Sequence, residues 1–354
     1  MLGQTRRNGG QPPQPAAMQS EHTVLAGDVG GTKTMLCLYQ RRRDQLRPQR
    51  RATVASRDYA CLEDLLRSFL HVNDRVDAVC LGIAGPVIDG VGQVTNLNWR
   101  TSETAVAQAC NANAARLYND MEATAYGMLN LPARQLAALN PTAAARRQPG
   151  HIAVIAAGTG LGEITLFWDG NRYHAIPGEG GHCDLAPQNA KQDALLTWLR
   201  DHYPDHVSYE RILRGDGFLM LYRFLHASGF APESVALQTQ LATDPANANA
   251  LISQHGLAGA DALCAEALAL FVDLYGAEAG NLALKGLPQG GVYIGGGVAL
   301  KIHTALTDGR FLAAFLRKGR MQPLLAPVPL RLSLNPDTPL IGAAHGAMEL
   351  LQTR

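Results

Sequence analysis

Asp28-Val29-Gly30-Gly31-Thr32 follows a short apolar run, Val24 to Ala26, and precedes an alternating one, Thr34 to Tyr39. That order reads as strand, glycine turn, strand. Adjacent glycines carry no Cβ, so their backbone N–H groups can approach an anion closely. Asp28 adds a carboxylate suited to a phosphate-bound metal ion. The unit looks built to grip a polyphosphate. A related unit returns at Ala156-Ala157-Gly158-Thr159-Gly160-Leu161-Gly162, after Ile152 to Ile155 and before Ile164 to Trp168. A single hairpin of this kind is better read as an ordinary glycine turn. Two in the same strand-turn-strand setting imply two similar halves facing a shared nucleotide.

Gly27 to Thr34 nearly spells a P-loop, with Lys33 and Thr34 in its last places. Thr32 stands where the second glycine is required, however. Met35, Cys37 and Tyr39 alternate with Leu36 and Leu38, which is a strand and not the opening of a helix. A P-loop needs that helix N-terminus for its phosphate, so the motif is rejected. The glycines of Gly158 to Gly162 also miss the G-x-G-x-x-G spacing.

The chain has 354 residues, room for two domains, and is 47% hydrophobic and 17% charged, a globular composition. A net charge of +1 gives no argument for nucleic-acid or membrane partners. Arg41-Arg42-Arg43 and Arg50-Arg51 read as the flanks of a solvated loop. The six cysteines show no C-x-x-C pairing, so neither a zinc site nor a disulfide framework is implied. Residues 1–21, rich in Gln, Gly and Pro, read as a disordered tail. Arg6-Arg7 has no apolar segment after it, and no run approaches the roughly 18 residues of a membrane span. A cytoplasmic protein is the expectation.

Alternating strands and helices argue for an α/β architecture. Helical spacing marks Cys61 to His71, Met121 to Leu129, Asp193 to His202, Tyr209 to Arg214, Gly217 to Ala227 and Ala260 to Leu284. Val76 to Ala84, Arg116 to Tyr118 and Arg331 to Leu334 read as strands, and Gly290 to Leu300 as strand, glycine turn and helix. Ala133 to Gly150 reads as a connection and Pro177 to Pro187 as a glycine-rich loop. A last helix spans Leu340 to Leu351. The expected division is a tail (1–21), a small α/β domain (22–130, completed by 333–354) and a large α/β domain (131–332).

Asp120, after a strand and before a helix, is the best candidate base. Phosphoryl transfer to a hydroxyl needs a carboxylate within reach of the proton. Asn119-Asp120 also fits a simple helix cap, which spacing alone favours. Glu179, His182, Cys183 and Asp184 share one glycine-rich loop. Such mixed polar groups suit a polyol, whose hydroxyls both donate and accept. A surface loop fits equally, whereas a zinc site fits poorly because the ligands would be chain neighbours. Glu210 reads alone as a solvated first-turn acid. The Gly290-Gly291-Val292-Tyr293-Ile294-Gly295-Gly296-Gly297 stretch allows an adenine or ribose to lie on backbone, or is simply a tight strand-to-helix turn.

Taken together, Gly27-Asp28-Val29-Gly30-Gly31-Thr32, Thr95-Asn96-Leu97-Asn98-Trp99, Asn119-Asp120, Gly158-Thr159-Gly160-Leu161-Gly162, Pro177-Gly178-Glu179-Gly180-Gly181-His182 and His206-Val207-Ser208-x-Glu210-Arg211 resemble the bacterial ATP-dependent glucokinase family. The match runs from about residue 22 to 350. The resemblance implies the actin-like, ribonuclease-H-like fold of two domains around a cleft, and phosphorylation of D-glucose to glucose 6-phosphate. It implies ATP, with Mg²⁺, on Gly27, Asp28, Val29, Gly30, Gly31, Thr32, Gly158, Thr159, Gly160 and Gly296, Asp28 acting indirectly on the metal. It implies glucose on Asn96, Asn119, Asp120, Glu179, His182 and Glu210, with Asp120 as the base. A homodimer is the family's common state, although no stripe identifies an interface. Lys33 departs from the Asn of many members. The related repressor/kinase group has a Cys-rich zinc motif after the sugar loop, where this chain has only Cys183. The rival readings are a kinase for mannose or N-acetylmannosamine, and a non-catalytic sugar-sensing regulator. The short tail is too rich in Gly and Pro for a DNA-binding arm.

Overall fold

The computed structural model describes residues 22–42, 45–143 and 149–352. The expectation of a disordered tail, residues 1–21, lies outside the described residues. The chain opens with β1 (Thr23–Val29), β2 (Lys33–Arg42), β3 (Gln45–Ala55) and β4 (Ala78–Ile83). Three short strands, β5 (Val87–Ile88), β6 (Val91–Gln93) and β7 (Arg100–Ser102), make a small sheet of their own, and β8 (Ala114–Asn119) returns to the first. The second half contributes β9 (Leu136–Ala138), β10 (Ile152–Ala157), β11 (Leu161–Trp168), β12 (Tyr173–Gly178), β13 (Gly291–Gly295) and β14 (Leu330–Ser333).

The two large sheets repeat one plan. The first runs β3-β2-β1-β4-β8, with β1 antiparallel to β2 and parallel to β4, which is parallel to β8. The second runs β12-β11-β10-β13-β14, with the same directions at each pairing, and adds β9 at its edge. Each glycine hairpin therefore occupies the same place in its sheet. This duplicated plan is the actin-like architecture implied by the sequence resemblance. The central strands β4 and β10 are buried along their whole length, as apolar runs covered on both faces must be.

Helices place the side chains that matter. Asn119 caps the helix Asp120–Leu129 by accepting from the Met121 N–H at 2.9 Å. Asn189 caps Ala190–His202 and Asp261 caps the long helix Ala262–Gly286 in the same way. The helix Thr338–Gln352 packs on β1, β4 and Asp120–Leu129. Gly342 makes that crossing close, since a Cβ there would overlap the Ala123 carbonyl oxygen.

Several local expectations need correction. Residues 45–49, between the arginine clusters, are strand and not loop. Arg41 and Arg42 end β2, and Arg50 and Arg51 lie inside β3. An outer strand with one wet face can be rich in arginine, and β3 alternates exposed and half-buried positions. Arg51 makes a two-pronged pair with Asp337 at 2.6 Å for both bonds. Tyr209–Arg211 is one short helical turn, not a helix to Arg214. Pro177 and Gly178 belong to β12, and Gly180–His182 is a short turn of helix. The connection from Ala133 contains a helical turn and β9.

Candidate functional site

The first hairpin turn is closed by the Gly30 N–H donating to the Lys33 carbonyl at 3.1 Å. The Ser56 hydroxyl donates to the Gly30 carbonyl at 2.6 Å and lies 2.9 Å from the Thr34 hydroxyl. Gly31 packs against a neighbouring loop: a Cβ there would sit 2.9 Å from the Thr95 carbonyl oxygen and 3.2 Å from the Asn96 Cβ. That loop is tied to β4 by the Thr95 N–H donating to the Ala84 carbonyl at 2.8 Å. Asn119 donates through Nδ2 to the neighbouring Gly85 carbonyl at 3.0 Å. Hairpin, Asn96 loop and Asn119-Asp120 thus share one edge of the first sheet, at the ends of β1, β4 and β8. Ligands of open α/β sheets gather at such strand ends.

Asp120 is the first helical residue, and its Oδ1 accepts from the Met121 N–H at 2.8 Å. Burial raises the proton affinity of its carboxyl. Hydrogen bonds from Met121 and Asn119 oppose that, and the nearby charge of Glu179 adds to it. Asp28 is pushed up to about 6, first by burial and then by the charge of Asp120, with Lys33 pulling the other way. Two half-buried carboxylates therefore sense each other beside the first hairpin. Such an arrangement favours a cation or a proton nearby.

The second hairpin turn is closed by the Gly158 N–H donating to the Gly160 carbonyl at 2.8 Å, and the Gly215 N–H donates to the Gly158 carbonyl at 2.9 Å. Open space surrounds the outer side of Gly158, where a Cβ would have no neighbour within 4 Å. Gly296 follows β13 with φ +89°, and a Cβ there would collide with the Ala157 backbone, so only glycine suits the position. The buried Tyr275 hydroxyl ties these two strand ends together. It accepts from the Ala157 N–H at 3.2 Å and lies 3.2 Å from the Ile155 and 3.3 Å from the Gly295 carbonyl oxygens.

Glu210 joins this hairpin to the glycine-rich loop. Its Oε2 accepts from the Leu161 N–H at 3.1 Å and stands 3.6 Å from His182 Nε2. Segments 183–185 and 207–209 run side by side, with the Leu185 N–H donating to the Val207 carbonyl at 2.9 Å and the Tyr209 N–H to the Cys183 carbonyl at 3.2 Å. That pairing brings Glu210 to His182. Met121 packs against Gly162, so the start of the Asp120 helix touches β11.

The two halves meet where Met121 packs on Gly162 and where Asp120 feels the charge of Glu179. Asp28, Asn96, Asn119 and Asp120 come from the first sheet's edge, and Glu179, His182, Glu210, Gly158–Gly160 and Gly296 from the second's. A cavity of 1090 Å³ lies elsewhere, lined by Tyr126, Trp168, Tyr173, Tyr293 and Arg331 among others, and contains none of them. Sequence reasoning missed Gly85 and Ser56, which hold Asn119 and the first turn in place. A glycine ahead of Pro86 after an apolar run was the signal for the former. A lone serine gives none.

Comparison with known proteins agrees with this arrangement. The family model described as Glucokinase matches residues 25–350. A glucokinase of Nostoc sp. is 40% identical over 345 residues, covering 92% of this chain and 99% of its own. One of Trichormus variabilis is 38% identical over 344 residues, with the same coverage of 92% and 99%. The crystal structure of a glucokinase from an Antarctic psychrotroph superposes with a TM-score of 0.77 at 30% identity, over 92% of this chain and 99% of that one. With its glycine hairpins, strand-end carboxylates and glycine-rich loop in the order described, this chain belongs to the glucokinase family.

Proposed function

We propose that the chain transfers the γ-phosphoryl group of ATP to the 6-hydroxyl of D-glucose, with Asp120 as general base. The observation that carries the reading is that Asp120 feels the charges of Asp28 and Glu179 while Met121, next to it, packs on Gly162. Asn96, Asn119, Glu179, His182 and Glu210 hold the sugar hydroxyls, and Asp120 accepts the 6-hydroxyl proton as that oxygen bonds to phosphorus and ADP leaves. Burial makes Asp120 a stronger base than an exposed carboxylate. Gly27–Thr32, Gly158–Gly160 and Gly296 hold the nucleotide, and Gly158, which faces open space, leaves room for its phosphates.

Mg²⁺ fits the residues present. Among the described residues no group of three or more His, Cys, Asp or Glu is placed to hold a metal. Mg²⁺ bound mainly by phosphates and water needs only one or two carboxylates. Asp28, a half-buried acid repelled by Asp120, is the residue that would hold it indirectly, and the ion would neutralise charge developing on the phosphates. The bodies closing on the sugar are residues 22–130 with 333–354, and 131–332. Closure excludes water, which otherwise competes as acceptor. A cytoplasmic, glycolytic homodimer completes the proposal. No helix among the described residues is long and apolar enough to cross a membrane.

A coupled assay with a panel of hexoses, and with ATP set against ADP and polyphosphate, tests the reading. Turnover of glucose with ATP is the expected result. Preference for mannose or N-acetylmannosamine would overturn the substrate, and sugar binding without turnover would point to a regulator.

A further inference from the structure

Two buried acids take no part in the chemistry above. Glu163 on β11 is 3% exposed, and Glu278 on the long helix Ala262–Gly286 is 1% exposed. Each has a buried Oε1 with no hydrogen-bond partner among the described residues. Unpartnered buried carboxylate oxygens are costly unless a proton or an opposite charge lies between them. The two side chains face each other. Burial, then the charge of Glu278, pushes Glu163 up to about 8, with Lys285 opposing. Glu278 moves in the same direction for the same first reason, against Asn281, Lys285, Lys318 and Tyr209. Tyr275 is the other ionisable group that feels Glu163.

The pair lies under both turns that carry the candidate sugar ligands. Glu163 is opposite Gly178 in the β11–β12 register, and its Oε2 fills the space a Cβ of Gly180 would need. Gly180–His182 is the turn that follows Glu179. Glu278 Oε2 accepts from Asn281 Nδ2 at 2.8 Å, and the same amide donates to the Tyr209 hydroxyl at 3.2 Å. Lys318 Nζ donates to Asn281 Oδ1 at 2.5 Å and to the Ala277 carbonyl at 2.8 Å. Tyr209, 1% exposed, opens the turn that carries Glu210.

We propose that Glu163 and Glu278 share one proton, and that this singly protonated pair is a positioning device holding the Glu179–His182 and Tyr209–Arg211 turns against the sugar. The positioning half rests on the sugar-kinase reading above, whereas the shared proton does not.

The sign of the pH effect follows from the raised proton affinity. Between the ordinary value of 4.5 and about 8, the folded protein holds a proton that the unfolded chain has released. The stabilisation is complete below that interval and is lost as pH rises through about 8. One such proton changes the unfolding equilibrium by up to about tenfold per pH unit. Gln is isosteric with Glu and keeps a hydrogen bond without the second charge. The test is denaturant unfolding and calorimetric glucose binding of wild type, Glu163→Gln and Glu278→Gln from pH 6 to pH 9. Wild type is expected to lose stability and glucose affinity as the pair ionises fully. Either variant is expected to flatten both profiles, and to change KM for glucose more than kcat. Unchanged stability profiles in both variants would overturn the shared proton. Flattened stability with an unaltered pH dependence of glucose binding would overturn the positioning role. A wild type that binds no glucose would sink the function reading and the positioning role together, while the stability profiles still decide the proton.

Discussion

Asn119, not Asp120, has the extended backbone of a capping residue, and Asp120 is already helical. The sequence leaves capping and proton transfer mixed across the two neighbours, because residue type alone suits both. Asp120→Asn keeps the shape and the hydrogen bond from Met121 but cannot take a proton. It should lower kcat by about 10²–10⁴-fold while calorimetry still finds glucose bound. Near wild-type kcat would reduce Asp120 to a helix residue. Asp28 gives a second expectation. Its folded value of about 6 exceeds the ordinary 3.8, so its stabilisation is present below 3.8 and lost as pH rises through about 6. In ligand-free protein, Asp28→Asn should therefore gain stability at pH 8 relative to pH 5, by about 1.4 kcal/mol, the one unit of the shift that lies above pH 5. Equal effects at the two pH values, read by denaturant melts, would remove the raised proton affinity that burial, and then Asp120, give Asp28. The hairpin glycines differ in what they meet. Reading the sequence alone, a side chain at Gly31 should harm only ATP binding. In the structure it would push on Thr95 and Asn96, and so disturb the sugar side as well. Gly158 faces open space, so Gly158→Val should leave the melting temperature unchanged yet raise KM for ATP about tenfold or more. An unaltered KM would take that turn out of the nucleotide site.

Among the elements, those that sequence reading recovers are the ones whose pattern is local. Val24 to Val29 and Ile152 to Ala157 are buried on both faces, so apolar continuity betrays them. β3 escapes because an outer strand with a wet face needs no such continuity, and its arginines resemble a solvated loop. β5, β6 and β7 are too short to show a period. Glu163 and Glu278 escape for a different reason. Each is a lone acid among apolar neighbours in sequence, and only the fold brings them together. The sequence returns the last helix to the first domain, but not its crossing over Asp120–Leu129, which depends on contact at Gly342 and Gly127. A Cβ at Gly127 would overlap the Thr338 carbonyl oxygen, just as one at Gly342 overlaps Ala123. Gly342→Ala must therefore part the helices. Overpacking of this kind costs about 1–3 kcal/mol, and the same movement displaces the helix that begins at Asp120. Thermal melts should show the loss and kcat should fall with it. A variant as stable as wild type would mean the crossing relaxes freely.

The candidate sugar ligands are divided between two sheets, so on the proposed function the sugar itself links the two. Asn96, Asn119 and Asp120 stand at the ends of the first sheet, while Glu179, His182 and Glu210 stand on loops fixed to the second. Glu210 and His182 are already tied to each other and to the second hairpin. Between Glu179 and Asp120 the relation is repulsion of like charges. Without a sugar that repulsion favours parting, and with one each carboxylate accepts from a hydroxyl instead. Saturating glucose should therefore draw the two bodies together and lower the radius of gyration in small-angle scattering. Binding only to the folded state should also stabilise it, by about 2.7 kcal/mol at a hundredfold excess over Kd. Glu179→Ala removes one side of the bridge and leaves buried sugar hydroxyls unpaired, at roughly 1–3 kcal/mol. It should weaken glucose binding about tenfold or more and blunt the contraction. Asp120→Asn, which still hydrogen-bonds the sugar, should contract as wild type does. Scattering curves that do not change with glucose, in a protein that calorimetry shows to bind it, would mean the sugar is held by one sheet alone and that closure plays no part in excluding water.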